Sequence, residues 1–239
     1  MAGHSKWKNI QHRKGAQDTK KGKVFTKIGK EITVSVRLSG DDPGTNSRLR
    51  LALAKARDSN MPNDNIERAI QRGTGSADEA SYAEKIYEGY GAGGVAFVVE
   101  CLTDNVNRTV GEVRVAFSRC GGNLGAEGSV GWMFHKKGQI LIRRENVSDL
   151  DKIFQIATDN NAEDVRDEDG GVEVICAIED FQRLRDKLEG AGLKLDVAEL
   201  TRIAESVVLM KDSENIQKLV GLLEDNDDVQ NVYHNGELE

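Results

Sequence analysis

The chain has 239 residues, 38% of them apolar and 31% charged, with a net charge of −7. That length exceeds the usual single-domain range of roughly 100–150 residues, so two or three domains are predicted. No apolar run approaches the roughly 18 residues of a membrane span and the first residues lack the apolar core of a secretory signal, so a cytoplasmic protein without a membrane partner is expected.

The chain opens on its most uneven stretch. Lys6, Lys8, Arg13, Lys14, Lys20, Lys21, Lys23, Lys27 and Lys30 face Asp18 alone, although the protein as a whole is acidic. Residues 1–75 hold 16 Lys/Arg against 7 Asp/Glu, leaving 17 against 33 for the remainder. Such a partition points to a polyanionic partner for the basic part. A solvated tail is the bland alternative, but Trp7 would have nothing to bury against there, whereas beside phosphates it can stack on a base. Neutral or protonated His4 and His12 can contact phosphate or stack as well. The candidate nucleic-acid contacts are therefore His4, Lys6, Trp7, Lys8, His12, Arg13, Lys14, Lys20, Lys21, Lys23 and Lys27, with RNA and DNA both open.

Phe25, Ile28, Ile32 and Val36 follow helical spacing, and residues 40–44 (Gly-Asp-Asp-Pro-Gly) stop that helix. A second helix is predicted over 45–57, with Leu49, Leu53 and Ala56 inward, Arg48, Lys55 and Arg57 outside, and Arg48, Arg50 and Arg57 on a solvated or DNA-facing side. A third follows residues 60–63, with Ile66, Ala69 and Ile70 inward and Gly73 at its end. No helix with Arg, Asn or Gln grouped to read base edges stands out.

Beyond a linker at 73–76, strands and helices alternate. A buried strand is predicted over 94–102, a helix over 107–118, a Gly-rich loop at 121–128 and an apolar stretch at 130–134. A second unit has strands at 139–143 and 172–177, helices at 150–157 and 181–188, and extended chain at 193–201. A strand at 206–210, a helix at 216–223 and a strand at 229–233 close the chain. The expected fold class is α+β with three domains: a helical N-terminal domain plus two α/β-sandwich domains, one of them discontinuous. Their expected extents are residues 1–76, residues 77–134 with 205–239, and the inserted residues 135–204.

Candidate chemistry is sparse. Residues 89–94 (Gly-Tyr-Gly-Ala-Gly-Gly) precede a strand, whereas a dinucleotide fingerprint follows one, so they read as a turn or bulge. The acidic runs 163–169 and 224–228 lack the order of a calcium loop and read as solvated loops. His135 and His234 are expected at the surface. Cys101, Cys120 and Cys176 form no CxxC pair; Cys101 and Cys176 fall in apolar runs and read as core residues. No catalytic residue, metal site or cofactor is expected.

Several stretches together resemble one family. They are Ala2-Gly3-His4-Ser5-Lys6-Trp7, His12-Arg13-Lys14, Gly22-Lys23-Val24-Phe25-Thr26-Lys27, residues 61–70 (Met-Pro-Asn-Asp-Asn-Ile-Glu-Arg-Ala-Ile), Tyr87-Glu88-Gly89-Tyr90-Gly91 and Asn123-Leu124-Gly125. The chain is similar in these to the YebC/PmpR family, from residue 1 to about 235. The resemblance implies a helical domain followed by two α+β domains, one discontinuous, and a non-enzymatic role in gene expression. Members are commonly described as DNA-binding transcriptional regulators, which is the main expectation here. Others are a mitochondrial translational activator and ribosome-linked proteins that relieve stalling at proline-rich stretches. The alternative it implies is a ribosome-associated translation factor binding rRNA or tRNA. A Trp-bearing arm suits unstacked RNA bases somewhat better than a duplex groove.

Overall fold

The computed structural model describes residues 21–75, 82–210 and 213–237. Helix α1 (Lys21–Ser39) buries Ile28, Ile32 and Val36, as its spacing predicts. Asn46 then caps α2 (Ser47–Asp58): its Oδ1 accepts from Leu49 N at 3.0 Å, and its Nδ2 donates to the Ser35 and Gly40 carbonyls at 2.8 Å each. One buried amide thereby satisfies groups from three segments. Asn60, at φ +54°, turns the chain into α3 (Asn63–Thr74). The core shared by these three helices is Ile28, Ile32, Val36, Leu49, Ala52, Ala56, Met61 and Ala69. Helices α1 and α3 approach closely where the Thr33 hydroxyl donates to the Ala69 carbonyl at 3.0 Å. At Gly73 an added Cβ would lie 2.6 Å from Val36 Cβ and 2.8 Å from the Thr33 carbonyl oxygen.

Two four-stranded sheets follow. The first contains β1 (Ala83–Tyr90), β2 (Ala96–Thr103), β3 (Asn123–Leu124) and β9 (Val229–His234) in the order β3-β1-β2-β9, every pairing antiparallel. The inward faces of α4 (Val106–Arg119) and α7 (Ser213–Glu224) supply Val113, Phe117, Ile216 and Leu219 to its core. Phe97 and Phe117 meet edge to face at 5.7 Å, and the His234 ring packs on Phe97 at 5.3 Å. The second sheet contains β4 (Phe134–Arg143), β5 (Ala162–Glu168), β6 (Gly171–Cys176) and β7 (Val197–Ala204), ordered β5-β6-β4-β7 and again antiparallel. Helices α5 (Leu150–Asp159) and α6 (Ile178–Gly190) accompany it. Phe181 of α6 packs where Gly138 leaves room, since a Cβ there would come within 2.7 Å of the ring.

The fold is therefore α+β, with a helical N-terminal domain and two sheet domains, the first of which is completed by β9 from the chain's end. By backbone contacts the helical domain and the first sheet form one compact unit, described residues 21–131 and 210–234, while residues 132–209 and 235–237 form another.

Three local expectations change. Residues 83–88, unassigned from sequence, belong to strand β1. Part of the acidic run at 163–169 is not a loop but the edge strand β5, paired with β6 from Ala162 to Glu168; charged side chains are what keep an edge strand from pairing further. The strand expected over 206–210 shrinks to β8 (Val208–Leu209), which pairs in parallel with β10 (Gly236–Glu237) rather than joining the first sheet. Residues 89–94 are the end of β1 and a short turn with Gly93 and Gly94 at positive φ. The preceding Glu88 is buried, and its carboxylate accepts from the backbone N–H of Gly128, Val130 and Gly131 at 2.6–3.0 Å. This motif is a structural clamp on the loop after β3.

Gly73→Ala should destabilise the protein. The added methyl gains at most about 1 kcal/mol of helix propensity, less near a helix end, but overpacking against a backbone carbonyl costs ~1–3 kcal/mol. A urea denaturation midpoint below that of the parent, at unchanged m-value, is the expected result.

Candidate nucleic-acid interface

Lys23, Lys27 and Lys30 recur at four- and three-residue spacing, which places them on one face of α1. That face meets the C-terminal end of α7. Lys27 Nζ donates to the Glu224 carbonyl at 2.6 Å, Lys23 Nζ to the Asp225 carbonyl at 2.7 Å and Lys30 Nζ to the Asp227 carbonyl at 2.9 Å. Carbonyls at a helix C-terminus lack intrahelical donors and carry the negative end of the helix dipole, so a comb of ammonium groups fits them. The run 224–228 is thus not a solvated acidic loop but the receptor for these lysines. Burial pulls the Lys27 ammonium down to about 8, with Glu224 and Asp227 acting in the opposite direction.

Asp228 ends this arrangement. Its side chain is only 4% exposed. Its carboxylate accepts from Lys30 Nζ at 2.7 Å, Arg108 Nη2 at 2.6 Å, Thr109 Oγ1 at 2.7 Å and Thr103 Oγ1 at 3.1 Å. Burial alone would raise the carboxyl's pKa. The donors from Arg108, Lys30 and Thr109 outweigh it and hold the group well below the usual carboxylate range.

Arg48 and Arg50 of α2 differ in setting from the arginines of α3. Arg48 is neutralised: its guanidinium pairs with Glu31 at 2.6 Å and with Glu84 at 2.5 Å. Arg50 donates to the Pro43 carbonyl at 3.0 Å and so closes the loop between α1 and α2. Helix α3 is different. Asn65, Arg68 and Arg72, at three- and four-residue spacing, line a groove against α1, together with Gln71 of the next turn. Arg68 Nε donates to the Asp64 carbonyl and Nη2 to Asn65 Oδ1, while Arg72 Nε donates to the Arg68 carbonyl. Two exposed guanidinium groups and two amides therefore share one helix edge. The groove holds about 820 Å³ and is also lined by Gly22, Phe25, Thr26, Gly29, Lys30, Met61 and Tyr82.

Of the contacts proposed from sequence, His4, Lys6, Trp7, Lys8, His12, Arg13, Lys14 and Lys20 lie outside the described residues. Lys21 opens α1, and its side chain is not described. Lys23 and Lys27 come together on one face of α1, with partners inside the protein. The sequence reading of the third helix stopped at its inward residues Ile66, Ala69 and Ile70, and assigned nothing to Asn65, Arg68 and Arg72. Their spacing was visible, but the hollow they border depends on Gly22 and Gly29 of another helix.

Two family models match the chain: the TACO1/YebC protein N-terminal domain over residues 5–76, and the TACO1/YebC second and third domain over residues 82–236. Relatives named "Probable transcriptional regulatory protein" share 54% identity in Syntrophotalea carbinolica, 52% in Geobacter sulfurreducens and 52% in Pasteurella multocida. Each alignment covers 100% of this chain and 96–97% of the relative. The crystal structure of a conserved hypothetical protein from Aquifex aeolicus is similar at a TM-score of 0.81 and 40% identity, covering 93% of this chain and 92% of the other.

The lysine comb carries two expected outcomes. A lysine whose pKa falls from 10.5 to about 8 on folding opposes folding below pH 8, and that penalty is relieved as pH rises towards 10.5. The stability of the parent relative to Lys27→Met should therefore increase across that window; a flat difference in denaturation titrations would remove Lys27 as a buried ammonium. Asp228→Asn leaves Lys30 and Arg108 facing a neutral group and should cost roughly 3 kcal/mol at pH 7. Because the folded carboxyl is depressed, the advantage of the parent is full above the unfolded value of about 4. It should shrink as pH falls below that.

Proposed function

Because the chain belongs to the YebC family, we propose that it is a non-enzymatic, nucleic-acid-binding regulator of gene expression acting in the cytoplasm. The contact surface is the helical domain together with the basic segment of residues 4–20. The relatives' names as transcriptional regulatory proteins support the regulatory part of this reading.

The observation that carries the nucleic-acid part is the edge of α3. Among the described residues the partners of Arg68 and Arg72 are helix carbonyls and one amide, with no carboxylate among them. Their positive charge is therefore left for an external anion, in contrast to that of Arg48. A guanidinium offers a planar set of donors matched to phosphate oxygens. Phosphate contacts set position along a nucleic acid, and amides such as Asn65 and Gln71 are the groups that pair with base edges.

Fluorescence anisotropy of the full chain on labelled nucleic acid, across a range of salt, tests the reading. Arg68→Gln with Arg72→Gln should weaken binding on every sequence and reduce the log–log salt slope by roughly 2 units. Replacing Lys6, Lys8, Arg13 and Lys14 with Gln should reduce it by a further ~3–4 units. A parent protein that binds neither duplex nor single strand at low salt would overturn the proposal. An unchanged slope would remove the substituted residues from the interface.

A further inference from the structure

We propose that the groove between α1 and α3 receives an unpaired nucleotide of a single strand, its base against Tyr82 and Phe25 and its phosphate at Arg68 and Arg72. This inference rests on the nucleic-acid reading above and gives it a site.

The shape of the site argues for an unpaired base. A helix that reads duplex DNA must protrude into a major groove about 12 Å wide, whereas the cationic edge of α3 borders a hollow. That hollow, about 820 Å³, lies within the usual range of small-ligand sites, roughly 300–1,000 Å³. Its depth comes from missing side chains on α1. A Cβ at Gly29 would stand 3.9 Å from both Arg72 Nη2 and Met61 Cε, and one at Gly22 would meet nothing within 4 Å. The lining joins aromatic rings to guanidinium groups, the pairing with which proteins hold unstacked bases and the phosphates beside them.

Lys30 plays a different part. Its ammonium is held by Asp228 and the Asp227 carbonyl, and it stands 5.7 Å from the centroid of the Tyr82 ring. It is committed inside the protein and orients the ring through a cation–π contact rather than reaching for phosphate. The wall of the groove is built before a ligand arrives.

The test uses the full chain and three labelled probes: an unstructured RNA strand, the DNA strand of the same sequence, and a duplex hairpin. Gly29→Leu fills the hollow without changing charge, and Tyr82→Ala removes the stacking face; thermal unfolding checks that each is folded. Both variants should bind the single strands roughly five- to a hundred-fold more weakly, with the hairpin affinity unchanged and, for Tyr82→Ala, the salt slope unchanged as well. If Gly29→Leu does not fold, Tyr82→Ala alone carries the comparison. Tighter binding of RNA than of DNA by the parent would assign the groove to RNA, and the reverse to DNA; each supports the site when Tyr82→Ala weakens the favoured strand. Single-strand affinity equal to that of the parent in the folded variants overturns the site while leaving the wider reading standing. Displacement of the strand by polyaspartate at matched charge, as effectively as by unlabelled strand, would also overturn it, since an anion without a base would then suffice. A parent that binds no probe is the separate failure of the wider reading.

Discussion

The Asp228 carboxylate is the interaction on which the first compact unit depends. It receives donors from α1 (Lys30), the end of β2 (Thr103) and α4 (Arg108 and Thr109), while its own backbone carbonyl accepts from Leu102 N at 2.8 Å. A buried charge costs several kcal/mol to desolvate, and only well-placed donors offset that. The consequence is specificity more than net stability: with four donors from three elements, few other arrangements of α1, β2, α4 and β9 leave the carboxylate satisfied. Once Asp228 is fixed, the end of α7 is fixed with it. The lysines on one face of α1 then find their carbonyl acceptors.

This pairing changes what the charge pattern of the chain means. The excess of lysine in the first thirty residues and the acid-rich run at 224–228 are partly two halves of one internal contact. Arg48 is likewise spent on Glu31 and Glu84. Counting charges along a sequence treats every cation as free to meet a partner, yet Lys23, Lys27 and Lys30 are engaged within the fold. Arg68 and Arg72 of α3, by contrast, meet no carboxylate among the described residues.

The sequence was legible where a period or a continuous apolar run set the structure. The inward faces of α1, α2 and α3 and the buried strand β2 follow from such signals. It was not legible where a strand carries charge. β1 (Ala-Glu-Lys-Ile-Tyr-Glu-Gly-Tyr) and β5 (Ala-Glu-Asp-Val-Arg-Asp-Glu) are held by backbone ladders to β2 and β6, and their side chains give little hint of it. Glu88 shows the same limit. It lies just ahead of the Gly-rich stretch 89–94, and its task, accepting three N–H groups from a loop forty residues on, exists only in three dimensions. The α3 edge was half legible, since Asn65, Arg68 and Arg72 have helical spacing. That they border a hollow depends on two glycines in α1.

The structural hub and the candidate site share one residue. Lys30 donates to Asp228 and also stands over the Tyr82 ring. A displaced Asp228 would release the ammonium, and with it the ring that forms one wall of the groove. Tyr82 lies just ahead of β1, whose backbone pairs with β2 along its whole length. Arg68 and Arg72 are placed independently, by the packing of α3 on α1 at Thr33 and Gly73. The two halves of the groove therefore rest on different supports: an electrostatic one beneath the aromatic wall and a steric one beneath the cationic wall. Damage to the hub should reach base stacking first and leave the salt-dependent part of binding in place, whereas damage at Gly73 should do the opposite.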